Sequence, residues 1–270
     1  MPNSAQPVVA PGSSSRPSSE DLGCAPFPIP QPPVLFQSWQ NLLFLHWECR
    51  PDTIADRLPP GLDLDTHGDQ AWLGIIPFEM RGVRPRRLPP VPGLSNFLEL
   101  NVRTYVRDRS GVPGVWFFSL DANSRLACTI ARSRFHLPYR NATMQTRGRQ
   151  QISYTTRRRG APREAVYRFA GQGPSTLATP GSLEHFLLER YILYASNSRS
   201  GQLLCGRVHH KPYRFRQVRL EECSTLPLEW NGLPLPSSAS PDHACLVDRT
   251  DVSVYGLKPL QDPSPPLTTP

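Results

Sequence analysis

Apolar and polar residues alternate along much of the chain with the period of two that a β-strand imposes. The clearest case is "LELNVRTYV" at 98–106, where Glu99, Asn101, Arg103 and Tyr105 fall on one face and Leu100, Val102, Thr104 and Val106 on the other. "NLLFLHWE" (41–48) is a near-continuous apolar run and predicts a buried strand. "AWLGIIPFEM" (71–80) predicts a strand whose proline calls for an edge or a bulge. "VWFFSLDA" (115–122) and "LACTIAR" (126–132) predict two further strands, and "QISYTT" and "EAVYRFA" a hairpin around "RRRGAPR". "GRVHHKPYRFRQVRLEEC" predicts another strand pair, and "CLVDRTDVSVYGL" (245–257) closes the pattern.

Two segments carry helical signals. "RPDTIADRLPPGL" predicts a short helix with Ile54 and Leu58 on one face, stopped by Pro59-Pro60. "SLEHFLLERYILYA" (182–195) predicts one long helix, because Leu183, Phe186, Leu187, Tyr191 and Tyr194 keep a helical period after Thr179-Pro180, an N-cap with proline at the first helical position. Many strands with two helices predict a mainly β fold, a barrel or sandwich with helices packed outside.

Composition sets the borders of this region. The chain has 270 residues, 38% hydrophobic, with 32 prolines. The Pro/Ser-rich stretch 1–33 and the tail 259–270 hold few core-forming residues and are expected to be disordered, leaving 34–258 as a single domain. No apolar run is long enough to span a bilayer, and the first residues lack a charged start followed by an apolar core. Neither a membrane partner nor a secretory signal is expected. The six cysteines are scattered without a C-x-x-C pair, which argues against a disulfide framework and for a reducing, cytoplasmic setting.

The net charge is +8, and Lys211 and Lys258 are the only lysines among 30 basic residues. The densest arginine runs, "RGVRPRR" (81–87) and "TRRRG" (156–160), read as solvated loops rather than a phosphate groove, so no nucleic acid is expected as a partner.

The chemistry follows from a few positions. Glu99 and Arg103 lie four residues apart on one strand face, about 13 Å at the ~3.3 Å rise per residue, too far to pair directly. A face carrying both is either exposed to water or turned toward a ligand. His46 and Glu48 share a face, and His136, His209 and His210 lie elsewhere, but their spacing fits no metal signature, so no metal is expected. Ser119, Ser124 and Ser153 lack a G-x-S-x-G context, and no nucleotide-binding glycine motif occurs, so no cofactor is expected. "RSRFHLPYRNATM" (132–144) gathers Arg, His, Tyr and Arg around a proline.

Five segments in order, "FLHWECRPDTIADRLPPGLDLDTHGDQAWLGIIPFEM", "FLELNVRTYV", "GVWFFSLDA", "IARSRFHLPYRNATM" and "LEHFLLERYILY", resemble the YqjF-like family of bacterial proteins, a domain of unknown function. The resemblance covers about residues 33–257. That family is in turn distantly similar to acetoacetate decarboxylase, a β-barrel enzyme whose lysine forms a Schiff base with a 3-oxo acid. The enzyme carries Arg-Glu-x-Trp-Gly-Tyr-Pro-Lys-Lys. Against it, Arg132 matches the arginine and Pro138 the proline, while Tyr139 stands at the Schiff-base lysine and Arg140 at the lysine that lowers its pKa. Glu99 matches the active-site glutamate.

The resemblance therefore implies an acetoacetate-decarboxylase-like closed antiparallel β-barrel with a polar cluster inside, but without the covalent lysine, since a Schiff base needs a primary amine. Two functions are expected from it. One is binding of a small organic anion or carbonyl compound, with or without a reaction, using Glu99, Asn101, Arg103, Arg132 and Tyr139 as ligand-binding residues and Glu99, His136 and Tyr139 as catalytic candidates. Glu99 and Arg132 are then expected to lie within reach of one hydrogen bond or one ligand. The alternative is a protein-interaction or structural module with a plugged barrel and no ligand.

Overall fold

In the computed structural model, residues 31–260 are described. Residues 1–30 and 261–270, most of the two expected tails, lie outside them. The strands are β1 (Leu35–Cys49), β2 (Leu62–Leu64), β3 (Ala71–Pro85), β4 (Phe97–Asp108), β5 (Pro113–Ala122), β6 (Tyr139–Arg147), β7 (Gln151–Arg158), β8 (Ala165–Leu177), β9 (Ile192–Ser196), β10 (Leu203–His209), β11 (Arg214–Glu222), β12 (His243–Val254) and β13 (Lys258–Pro259). The helices are α1 (Arg125–Arg134), α2 (Leu183–Leu188) and α3 (Leu226–Glu229). The fold is mainly β, and no helix of the described residues is long and apolar enough to cross a membrane.

All thirteen strands form one sheet in the order β13-β10-β9-β5-β6-β7-β8-β11-β12-β1-β3-β4-β2, and two extra pairings, β4 with β5 and β10 with β12, bring the order back on itself twice. One circuit runs β5-β6-β7-β8-β11-β12-β1-β3-β4. A second runs β5-β9-β10-β12-β1-β3-β4. The strands β12, β1, β3, β4 and β5 belong to both. This sharing explains why β3 is buried throughout its first ten residues and β4 almost throughout, polar positions included. The face Glu99/Asn101/Arg103/Tyr105 therefore meets protein, not bulk water.

The two sides of the shared wall are packed differently. One core cluster draws residues from every strand of the first circuit, with Leu43, Leu73, Leu100, Tyr154, Tyr167 and Phe169 at its centre, and α3 adds Leu228. A second cluster, with Phe44, Phe78, Leu120 and Tyr213, covers the opposite side.

Long strands shared between two circuits must bend, and β-bulges supply the bend. The β1–β3 register shifts between Gln40 and Leu45. Asn41 takes φ 51° there, a left-handed conformation that Asn tolerates better than most residues, and its amide donates to Glu79 Oε1 at 2.9 Å. Pro77 of β3 lies in the unpaired stretch of that shift on the β1 side, and faces Leu100 on the β4 side.

Several sequence expectations are corrected. Residues 126–132 belong to helix α1, not to a strand: Ser124 Oγ caps the helix by accepting from the Ala127 N–H at 3.3 Å, and α1 serves as the crossover that lets β6 run parallel to β5. A second parallel pairing, β5 with β9, further departs from an all-antiparallel sheet. The helix expected at 182–195 stops at Leu188, and its cap is Ser182 rather than Thr179. The following "ILYAS" is strand β9, because two β neighbours take up its backbone groups and bury Ile192 and Tyr194. The expected helix around 51–58 is two short 3-10 turns, Pro51–Thr53 and Ala55–Arg57, with Ile54 buried between them. β10 and β11 do not pair with each other; each pairs with β12. Residues 259 and 260, expected in the tail, are joined to β10.

Candidate functional site

A cavity of about 360 Å³ lies on the second side of the shared wall. All seven strands of the second circuit contribute to its lining, together with α1 and the loop that precedes β4. Most of the lining is apolar, including Leu42, Phe44, Ile76, Phe78, Phe117 and Leu120. The polar side chains that reach it from β4 are Glu99, Asn101 and Arg103, joined by Tyr139 from β6. Four of the positions singled out in the sequence are thus brought to one cavity.

Arg103 is placed by its neighbours. Across the β3 ladder it faces Gly74, and a Cβ there would come within 3.1 Å of His46 Cδ2 and 3.3 Å of Arg103 Cγ. The missing side chain makes room for both. On the β5 side the ladder passes from Val102–Ser119 to Arg103–Phe117, a bulge beside the site. The guanidinium is buried, and its Nη2 donates to the Tyr105 hydroxyl at 3.0 Å and to the Leu187 carbonyl at 2.9 Å. Its Nε is buried without a partner, as are Asn101 Oδ1 and the indole N–H of Trp39, which also line the cavity. Among the described residues no carboxylate forms an ion pair with Arg103.

Behind Arg103 runs a hydrogen-bonded chain. The Tyr105 hydroxyl donates to the Leu187 carbonyl at 2.9 Å, so it accepts from His46 Nε2 at 2.7 Å. His46 Nδ1 then accepts from His243 Nδ1 at 3.1 Å. Burial, followed by the charges of His243 and Arg103, holds His46 well below the usual histidine range, so it is neutral. This satisfies His46 without a metal, and no metal-binding group of three or more His, Cys, Asp or Glu occurs among the described residues.

At the other end of the face, the Tyr139 phenol donates to Glu99 Oε2 at 2.7 Å. Burial raises the Glu99 carboxyl to about 8, against the pull of the Tyr139 hydrogen bond and with a smaller push from Asp121. Glu99 is therefore mostly protonated at neutral pH. Arg190 also lines the cavity, but it is ion-paired with Asp65 at 2.6 Å, a carboxylate that Arg107 contacts as well at 2.7 Å. Of the two guanidiniums that line the cavity, Arg103 is thus the one without a carboxylate partner among the described residues.

Two sequence candidates lie elsewhere. Arg132 is exposed on α1, and its Nη1 donates to the Tyr139 carbonyl at 3.2 Å; it meets neither Glu99 nor the cavity. It holds the backbone of the residue whose phenol holds Glu99, because residues 126–132 are helical rather than extended. His136 takes φ 49° in the corner between α1 and β6, a conformation in which His is enriched, and it is not among the lining residues although Phe135 and Leu137 are. Residues missed from sequence include Trp39, Phe44 and Leu126. Leu126 and Ile130 were legible in principle, four residues apart on one helical face after a serine N-cap.

Residues 36–251 match the family DUF2071, described as an uncharacterized conserved protein, and the chain belongs to that family. It is 36% identical over 208 residues to the uncharacterized protein YqjF of Bacillus subtilis (strain 168), covering 76% of this chain and 84% of that protein. Solved structures share the fold at low identity. The enduracididine biosynthesis enzyme MppR complexed with pyruvate is 14% identical, with a TM-score of 0.59 over 86% of this chain and 92% of that chain. Acetoacetate decarboxylase from Legionella pneumophila is 15% identical, with a TM-score of 0.58 over 94% of this chain and 99% of that one. An acetoacetate decarboxylase-like enzyme from Sphingomonas wittichii RW1 is 11% identical, with a TM-score of 0.57 over 86% and 94%.

Proposed function

We propose that the chain is a closed β-barrel protein that binds a small organic carboxylate or carbonyl compound in the chamber bounded by its second circuit of strands. The observation that carries this reading is Arg103: a buried guanidinium beside an apolar cavity, with an unpartnered Nε and no carboxylate beside it. A buried charge is costly unless a partner of opposite sign is supplied. With Glu99 mostly protonated and His46 neutral, the missing partner is an anion. A ligand carboxylate would accept charge-assisted hydrogen bonds from Arg103 and turn the Asn101 amide toward itself. The fold shared with a pyruvate-bound protein supports the same ligand class.

Glu99 and Tyr139 take the role of acid and positioning donor. A carboxylic acid kept neutral in an apolar site can donate a hydrogen bond or a proton to a carbonyl oxygen. The Tyr139 phenol fixes the carboxyl's orientation, and any chemistry proceeds without an imine, because Lys211 and Lys258 are both exposed and neither lines the cavity. The filled core of the first circuit matches a plugged interior on that side only.

A thermal-shift panel tests the reading. Small organic acids, pyruvate and acetoacetate among them, should raise the melting temperature, and the matching amides should not. Equal shifts from acids and amides, or none from any acid, would overturn it.

A further inference from the structure

The cavity is larger and greasier than a three- or four-carbon acid requires. At the ~30 Å³ that a water-sized group occupies in a liquid, its 360 Å³ holds roughly twelve non-hydrogen atoms. Pyruvate would fill about half of that. Its walls, outside the β4 face and Tyr139, are mostly aliphatic and aromatic side chains.

The mouth is apolar too. Val91 and Leu94 in the loop before β4, and Leu126 and Ile130 on α1, line the cavity and are nevertheless 49%, 47%, 49% and 47% exposed. All four border one cavity while leaving apolar surface in water, an arrangement that monomeric proteins rarely keep without a use. The loop leads directly into Phe97, so the mouth lies at the start of β4. Arg103 lies six residues further along that strand, about 20 Å at the ~3.3 Å rise. A buried guanidinium without a carboxylate partner lies on that strand, and a path that is apolar except for Asn101, Glu99 and Tyr139 leads outward from it.

We propose that the ligand is an amphiphilic monocarboxylate with an apolar body of about ten carbon atoms, its head on Arg103 and Asn101 and its tail running toward Leu94 and Ile130. This rests on the carboxylate reading above and names the ligand class for it. The guanidinium without a carboxylate partner calls for one carboxylate, whereas Arg190 already holds Asp65, which it shares with Arg107. Glu99, four residues nearer the mouth, then lies beside the body of the ligand rather than its head. A polar group at Glu99 and Tyr139 distinguishes acids oxidised part-way along the chain from plain ones.

Isothermal titration calorimetry with straight-chain carboxylates from acetate to dodecanoate, below their micellar concentrations, tests the proposal. Affinity should rise about fourfold per methylene, the fold-change of ~0.8 kcal/mol per buried CH₂, and level off near ten carbons. Ile130→Asp should weaken the long acids tenfold or more and leave the short ones unchanged. Leu94→Asp, in the facing loop, should do the same and serves if the helix variant fails to fold. A flat series with short acids still bound would overturn the amphiphile and leave the carboxylate reading standing. Binding of no acid of any length would overturn both, and alcohols bound as tightly as the matching acids would overturn the role given to Arg103.

Discussion

The hydroxyl of Tyr139 donates to Oε2 of Glu99 across 2.7 Å, and both side chains are buried. The pair has a consequence for stability. The Glu99 carboxyl rises from its ordinary 4.5 to about 8 on folding. A raised carboxyl costs nothing below about pH 4.5, where folded and unfolded chains are both protonated. As pH climbs toward 8 the unfolded chain ionises and the folded one does not, so stability is lost over that window. Against Glu99→Gln, which cannot ionise, wild type should lose roughly 1.4 kcal/mol per pH unit, on the order of 5 kcal/mol in all. Denaturant melts of both proteins from pH 4 to 9 check this, and a constant difference between them would show that Glu99 is ionised in the fold.

Borohydride should trap no 3-oxo acid on the protein. An imine needs a primary amine at the cavity, and Lys211 and Lys258 are exposed and absent from its lining. Intact-mass spectrometry after reduction in the presence of acetoacetate should show the unmodified mass. A reduced adduct mapped to Lys211 would place a nucleophile where the geometry has none.

One buried ion pair joins Asp121 to Arg158 at 3.0 Å, with Asp121 fully buried. Arg158 also donates to Ser119 Oγ at 2.6 Å and to the Trp230 carbonyl at 3.0 Å, and lies over the Trp230 ring. Burial lifts the Asp121 carboxyl above its ordinary value despite Arg158, so the charge depends on its partner. Arg158→Met should therefore cost about 3–5 kcal/mol, and Asp121→Leu with Arg158→Met clearly less than the two single changes added together. Additive losses in urea melts would mean that the two side chains act independently.

The residues of the β4 face were legible because a strand's period of two needs no tertiary knowledge: Glu99, Asn101 and Arg103 reach one cavity as that alternation requires. What the period could not reveal was that β4 is shared by two circuits of strands, which turns a polar face from water to a chamber. A strand at 126–132 would carry Arg132 toward Glu99, and the chain has a helix there. "LACTIAR" has strand-like composition, but the Ser124 cap and the parallel β5–β6 crossover make it helical and carry Arg132 to the outside. "RYILYAS" failed the same way in reverse, since its helical spacing yields to the two strands that flank β9. In both cases the partners lie far away in sequence. His136 occupies a left-handed turn position between helix and strand, which local sequence does not announce.

Arg103→Met offers the most direct measurement. The variant removes a buried charge that no carboxylate balances, and Tyr105 keeps its bonds to Leu187 and His46. Its stability without ligand should stay within about 1 kcal/mol of wild type, as apolar replacement of unneeded buried charge allows. An organic acid at a hundred times its dissociation constant should stabilise wild type by about 2.7 kcal/mol. At the same concentration it should leave Arg103→Met unchanged in urea unfolding. Equal stabilisation of both proteins, or a variant several kcal/mol weaker without any ligand, would mean that Arg103 serves the fold and not an anion.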